Sequence, residues 1–267
     1  MINKSILYSL TLLFGLSHCG PKEDKSPQSR FKLDMRDYII REDSSLVHKK
    51  DLQISKKLNQ LCSQVFQDKH LCSENIKYGF NPRIRSLGLM KIPVSKVNMF
   101  LQELQHLDSL HTLSLDRISL KSLPDLSKLT GLTSLSLLHL NLTDTVVIPQ
   151  YLSNLRSLDI IKSKFKWIVF PENCRIRSLR LYKNEINYLN KSFYYLEDLE
   201  NLNLRENPLF DVIDLNRFPK LKTVNLCGTA TRPYIRERIK KQYPHIKFDF
   251  CPDEIEVIFE DDEQVKQ

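Results

Sequence analysis

A six-residue phrase, apolar at its first, fourth and sixth places, returns seven times along this chain and leaves few folds open to it. It reads Ile84-Arg85-Ser86-Leu87-Gly88-Leu89, then Leu110-His111-Thr112-Leu113-Ser114-Leu115, then Leu132-Thr133-Ser134-Leu135-Ser136-Leu137. The fourth and fifth copies are Leu155-Arg156-Ser157-Leu158-Asp159-Ile160 and Ile176-Arg177-Ser178-Leu179-Arg180-Leu181. Leu199-Glu200-Asn201-Leu202-Asn203-Leu204 and Leu221-Lys222-Thr223-Val224-Asn225-Leu226 close the series. Successive copies begin 26, 22, 23, 21, 23 and 22 residues apart. Places 4 and 6 lie two residues apart and so point to one side of a strand, while places 3, 5 and 7 point to the other. One copy alone cannot bury its apolar side; copies stacked side by side join those sides into a continuous core.

A period in the low twenties with this apolar pattern resembles the leucine-rich repeat. The resemblance covers roughly residues 84–251. It implies an α/β solenoid, a horseshoe with about seven to eight parallel strands on the concave face and short helices or turns on the convex face. The family places Asn, Cys or Thr at place 9, where the side chain bonds loop backbone inside the turn. Here place 9 reads Ile92, Ile118, Leu140, Ser163, Asn184, Asn207 and Thr229. The second half follows the family and the first half does not, so the early turns are expected to be packed by apolar contacts. Val97, Leu101 and Leu104 sit at helical spacing beside Phe100 and Leu107, which predicts an amphipathic helix over 94–107. Leu123-Pro124-Asp125-Leu126 and Ile148-Pro149-Gln150-Tyr151-Leu152 look like the returns of short bacterial-type repeats.

The ends read differently. Lys4 precedes an apolar run from Ile6 to Leu16, the length of a signal-peptide core and too short to span a bilayer. Leu16-Ser17-His18-Cys19 resembles a bacterial lipoprotein signal cut before a lipidated Cys19, with His18 where a small residue is commonest. An ordinary secretory cut after Ser17, or an uncleaved anchor, are the alternatives. The expected organisation is a signal peptide at 1–18, a tether at 19–30 and a partly helical N-terminal cap at 31–83. The repeats and a C-terminal cap follow at 84–251, and an acidic tail at 252–267. Leu58, Leu61 and Val65 place a helix at about 51–69, and the C-terminal cap combines a helix over Pro233–Tyr243 with a strand at Ile246–Phe250.

Export permits disulfides. Cys62 and Cys72 flank one short segment and can pair locally; Cys227 and Cys251 fall near the same place on neighbouring strands, within disulfide reach. Cys174, just before a repeat, reads as a small buried apolar residue. Cys62, His70 and Cys72 also suggest a metal, but no fourth ligand stands at a recognisable spacing. No cofactor is implied.

The formal charge is +8; without Lys4 and the tail's −6, the body carries +13. Such a body favours acidic partners, while an exported protein has no call for nucleic acid. Read by columns, the inner face has a small polar floor at place 3. Place 5 brings Asp159 and Arg180, and place 7 brings Asp116, Leu138, Ile161, Tyr182 and Arg205. Place 8 forms a basic margin of Lys91, Arg117, His139, Lys162 and Lys183. Tyr and Arg dominate interface energetics when desolvated, so Tyr182, Arg180 and Arg205 are the leading anchors. With neither a phosphate-binding glycine loop nor a metalloprotease or nucleophile-elbow motif, nothing marks an enzyme. The expected function is recognition of a protein partner through the concave face by a lipid-anchored envelope protein, host adhesion included. An anionic polysaccharide on the basic margin, or a structural envelope role, are the alternatives.

Overall fold

The computed structural model describes residues 49–66, 76–80 as backbone, and 83–251. The signal peptide, Cys19, the tether, Cys72 and the acidic tail expected from the sequence lie outside the described residues.

In chain order the elements are helix α1 (Lys49–Phe66), strands β1 (Ile76–Phe80) and β2 (Ile84–Met90), and helix α2 (Val94–Leu104). Strands β3 (Thr112–Asp116), β4 (Ser134–Leu138), β5 (Thr145–Val147), β6 (Ser157–Ile161) and β7 (Trp167–Val169) follow. Then come β8 (Ser178–Arg180), β9 (Asn201–Asn203), β10 (Thr223–Asn225), helix α3 (Pro233–Gln242) and β11 (Lys247–Asp249). The main sheet runs β1-β2-β3-β4-β6-β8-β9-β10-β11. Its last eight strands are parallel, and only β1 joins antiparallel, against β2. This is a leucine-rich-repeat solenoid.

Strand register keeps the repeats in phase: Leu87, Leu113, Leu135, Leu158, Leu179, Leu202 and Val224 stand side by side in one row. A slip of one residue would turn that row to solvent. All seven are buried, as are the place-6 residues from Leu89 to Leu226. Behind the sheet, Phe100, Phe165, Phe170, Phe193 and Phe218 fill the space under the returns. Short 3-10 turns at 150–152, 191–195 and 215–217 form part of those returns. A small parallel sheet pairs β5 with β7, burying Val146 and Ile168 and leaving Val147 and Val169 outside.

The place-9 column divides as its residue types require. Ile92, Ile118 and Leu140 are buried apolar plugs. Asn184 accepts from the Ser163 backbone N–H at 2.8 Å and donates to the Ile160 and Leu181 carbonyls at 2.8 and 3.0 Å. Asn207 likewise accepts from Ile186 N–H and donates to the Leu181 and Leu204 carbonyls. At the junction, the Ser163 hydroxyl accepts from Leu140 N–H and donates to the Ile161 carbonyl.

Helix α2 buries Val97, Phe100, Leu101 and Leu104, three or four residues apart, as an amphipathic helix must. It stops at Leu104 rather than 107, because Leu107 N–H bonds the Leu104 carbonyl and Leu110 N–H the Leu107 carbonyl. Those tight turns bring the chain down into β3. Helix α1 covers the first repeat with Ile54, Leu58 and Cys62, within the segment assigned to the cap. Its fully buried Asp51 accepts two bonds from Arg83, at 3.0 and 3.1 Å, and one from Ile84 N–H at 2.8 Å. At the far end, α3 starts with Pro233 at its first turn, where no backbone donor is missed, and buries Ile235 and Ile239. Cys227 and Cys251 are joined by a disulfide with Cα atoms 4.8 Å apart. Cys62 is disulfide-bonded, and Cys174 is a buried free thiol whose pKa burial raises. Among the described residues, no helix is long and apolar enough to cross a membrane.

Candidate functional site

The concave face is built from the outward side chains of the parallel strands, so its columns follow directly from register. The place-5 residues Asp159 and Arg180 are neighbours across β6 and β8. Arg180 clamps Asp159 with two bonds, Nε to Oδ1 at 2.7 Å and Nη2 to Oδ2 at 2.5 Å, and Ser136 adds a third at 3.2 Å. The paired carboxylate raises the Arg180 pKa by hydrogen bonding, against the opposing effect of burial. Asp159 is only 5% exposed. It therefore anchors Arg180 instead of facing a partner.

Asp116 is similarly committed. It is 8% exposed, lies 2.8 Å from His139 Nδ1 and 3.8 Å from Arg117 Nε. Leu138 and Ile161, paired across β4 and β6, form a half-buried apolar strip between this cluster and the next.

The next cluster centres on Glu206. The Tyr182 hydroxyl donates to Oε1 at 3.0 Å, Arg205 Nε donates to the same oxygen at 3.2 Å, and Lys183 Nζ lies 3.2 Å from Oε2. The Arg205 guanidinium stands over the Tyr182 ring, 5.6 Å from its centre. Burial works to raise the Glu206 pKa, but bonds from Lys183 and Tyr182 and the charges of Lys183 and Arg205 outweigh it and hold the carboxyl low. Burial, joined by the bond to Glu206, raises the Tyr182 phenol. The result is an aromatic ring with both its hydroxyl and its stacked cation fixed, beside an apolar strip. In the sequence Glu206 is simply the place-8 residue after the basic margin ends; its role as the hub depends on which way four side chains turn.

The margin at place 8 is the site of a backbone feature. Lys91, Arg117, His139, Lys162, Lys183 and Glu206 all have positive φ, between 50° and 55°, and Gly228 follows at 65°. Each strand ends by the same left-handed step, and the N–H at place 8 bonds the place-7 carbonyl of the next repeat, as Lys91 does to Asp116 and Lys162 to Tyr182. Such a step is unfavourable for a residue with a Cβ and is sustained here by the ladder. The margin is not uniformly cationic. Arg117 and His139 lie against Asp116 and Lys183 against Glu206, whereas Lys91 and Lys162 have no ionic partner among the described residues.

A group of exposed apolar side chains lies off this face. Val147, Val169 and Tyr188 are 57%, 38% and 53% exposed, and Tyr188 meets Trp167 edge to face. No group of three or more acidic, histidine or cysteine side chains among the described residues could hold a metal.

Neither a protein-family model nor a curated protein matches the sequence. Among solved structures, the chain is similar to a leucine-rich-repeat protein of Leptospira interrogans at 26% identity and a TM-score of 0.47, over 55% of this chain and 39% of that one. It is also similar to InlP of Listeria monocytogenes, at 18% identity and a TM-score of 0.30, over 55% of this chain and 56% of that one. A third likeness is to the leucine-rich-repeat ectodomain of the Arabidopsis thaliana receptor kinase SOBIR1, at 15% identity and a TM-score of 0.35, over 76% of this chain and 98% of that one. This chain thus spans well under two thirds of the length of the two bacterial proteins.

Proposed function

We propose that the protein is a non-enzymatic binding protein that recognises a protein partner through its concave face. The observation that carries this reading is the Tyr182–Arg205–Lys183–Glu206 cluster set beside Leu138 and Ile161. Tyr and Arg supply large contact areas, and here their rotamers are held by neighbours before any partner arrives, which lowers the entropy lost on binding. An apolar strip flanked by oriented polar groups has the make-up of an interface centre and its rim. Eight parallel strands at roughly 4.8 Å spacing give a face over 30 Å long, sufficient for a standard interface.

The setting we propose is the bacterial envelope, with the chain exported by residues 1–18 and tethered through lipid on Cys19. The sequence features behind that placement are the short apolar run and the Leu16-Ser17-His18-Cys19 junction. A surface location would make the partner a host or matrix protein. The place-8 margin supports an anionic polysaccharide less well, because three of its five basic side chains already face a carboxylate.

Two measurements test this. Intact mass and detergent partition of the chain expressed with its own leader should show a mature N-terminus at Cys19 carrying acyl mass; a free His18 in the soluble fraction would remove the anchor. Cross-linking on whole cells and envelope fractions should capture a protein with the wild type and lose it with Tyr182→Ala/Arg205→Ala. Equal capture by the folded double variant would reject the concave face.

A further inference from the structure

The margin opposite place 8, where the strands begin, carries a second ladder. Each place-2 N–H bonds the place-2 carbonyl of the preceding repeat: His111 to Arg85, Thr133 to His111, Arg156 to Thr133, Arg177 to Arg156, Glu200 to Arg177 and Lys222 to Glu200. Side chains of this column are therefore one strand spacing apart, roughly 5 Å. Arg156 and Arg177 are direct neighbours, and Arg175 joins them, its carbonyl accepting from Arg156 Nη1 at 3.5 Å. Three arginines thus lie along one stretch of rim, with Arg85 further along the same column.

The nearby acids neutralise them only in part, because each holds a lysine more closely. Glu200 is bonded to Lys222 at 2.6 Å, and Asp198 is bonded to Lys220. Asp198 also makes a longer ion pair with Arg156, at 4.0 Å. Arg85, Arg175 and Arg177 have no ion-pair partner among the described residues, and Arg175 and Arg177 are exposed. The cluster's field reaches the acids nonetheless: the Asp198 carboxyl is held low first by Lys220, then by the charges of Lys220, Arg177 and Arg156. Like charges on adjacent strands repel, and a chain does not gather them for stability.

We propose that Arg156, Arg175 and Arg177 form a binding site for a linear anionic polysaccharide, distinct from the concave protein-binding face. A guanidinium presents five donors in a planar fork that fits an oxyanion with two parallel bonds. Three such forks along a ridge, and not in a pocket, match successive sulfate or carboxylate groups of an extended polymer. A single small anion would engage one or two forks and leave the rest opposed. The site does not depend on the concave-face reading, since it shares no residue with the Tyr182–Arg205–Lys183–Glu206 cluster or with Leu138 and Ile161.

The experiment uses the mature chain and immobilised dextran sulfate, with polygalacturonate as a carboxylate polymer and vesicles containing anionic phospholipid as a lipid surface. Arg175→Gln/Arg177→Gln removes two forks, and Lys121→Gln/Lys128→Gln removes equal charge from exposed lysines elsewhere. Binding of at least one polymer, about tenfold or more weaker in the arginine variant, within about twofold of wild type in the lysine variant and falling steeply with salt, is the expected result. The polymer that binds tells sulfate from carboxylate recognition. Equal weakening in both variants would mean adsorption by net charge, and vesicle binding without polymer binding would mean a lipid surface; either overturns the proposal, as does unchanged binding by Arg175→Gln/Arg177→Gln. Urea midpoints equal to wild type confirm that both variants are folded.

Discussion

At the scale of single residues, the repeat is held by side chains that answer backbone groups. Asn184 is 6% exposed and satisfies one buried N–H and two buried carbonyls in its own and the preceding turn. Asn184→Ala would leave them without partners, so a loss of about 3 kcal/mol is expected in urea unfolding. A change below roughly 0.5 kcal/mol would show that water substitutes for the amide. Glu206 gives a prediction of opposite origin. Its folded pKa is depressed, so its contribution to stability is complete above the ordinary carboxylate pKa of about 4.3 and is lost as pH falls through the lower folded value. Glu206→Gln should therefore flatten the acid side of the urea-midpoint curve below about pH 4.3 and leave its slope near neutrality unchanged.

At the scale of elements, the two ends solve one problem differently. A stacked solenoid exposes apolar surface at its last repeats and needs covers. The C-terminal cover is a helix, a three-residue strand and a disulfide between Cys227 and Cys251, 24 residues apart in sequence. Closing a loop of that length restricts the unfolded chain by about 3 kcal/mol. Cys251→Ser should lower stability by about that amount, and limited proteolysis should then cut first between β10 and β11. Cleavage elsewhere at the wild-type rate would mean that α3 alone holds the end. The N-terminal cover also holds a disulfide-bonded cysteine, Cys62, and adds a buried charge: Asp51 is fully buried and anchored to Arg83 and Ile84 N–H.

At the scale of the whole molecule, stability in a solenoid is a sum of repeats and their nearest-neighbour interfaces. Damage at one end should stay there. Asp51→Ala leaves the buried Ile84 N–H without its carboxylate and Arg83 with Asp108 alone, and is expected to cost about 1–3 kcal/mol through the unsatisfied N–H. Hydrogen exchange should then accelerate over 84–116 and remain slow over 176–226. Uniform acceleration would mean that the repeats unfold as one cooperative block. The same architecture spreads function across separate surfaces, because each column of side chains runs the length of the sheet. The concave columns, the place-8 margin and the arginine rim each face a different direction.

Much of this was legible in the chain. Places 1, 4, 6 and 9 recur too regularly for any fold but a stack of parallel strands, since only stacking buries them all, and the switch from Ile92, Ile118 and Leu140 to Asn184 and Asn207 marked where the turns change from apolar to polar. The antiparallel β1, the small β5–β7 sheet and the end of α2 at Leu104 were not, because short apolar triplets and helix ends have no period to count. Which polar residues face outward on the concave side followed from alternation alone; which of them remain available did not. Asp116 and Asp159 read as candidates for a partner, yet neighbours one repeat away occupy both. Glu206, past the end of the basic margin at place 8, gathers Tyr182, Arg205 and Lys183. The physical reason is distance. Core and register depend on positions a fixed number of residues apart, whereas a polar contact between strands depends on rotamers set over twenty or more intervening residues, and only the tertiary structure brings those groups to about 3 Å from one another.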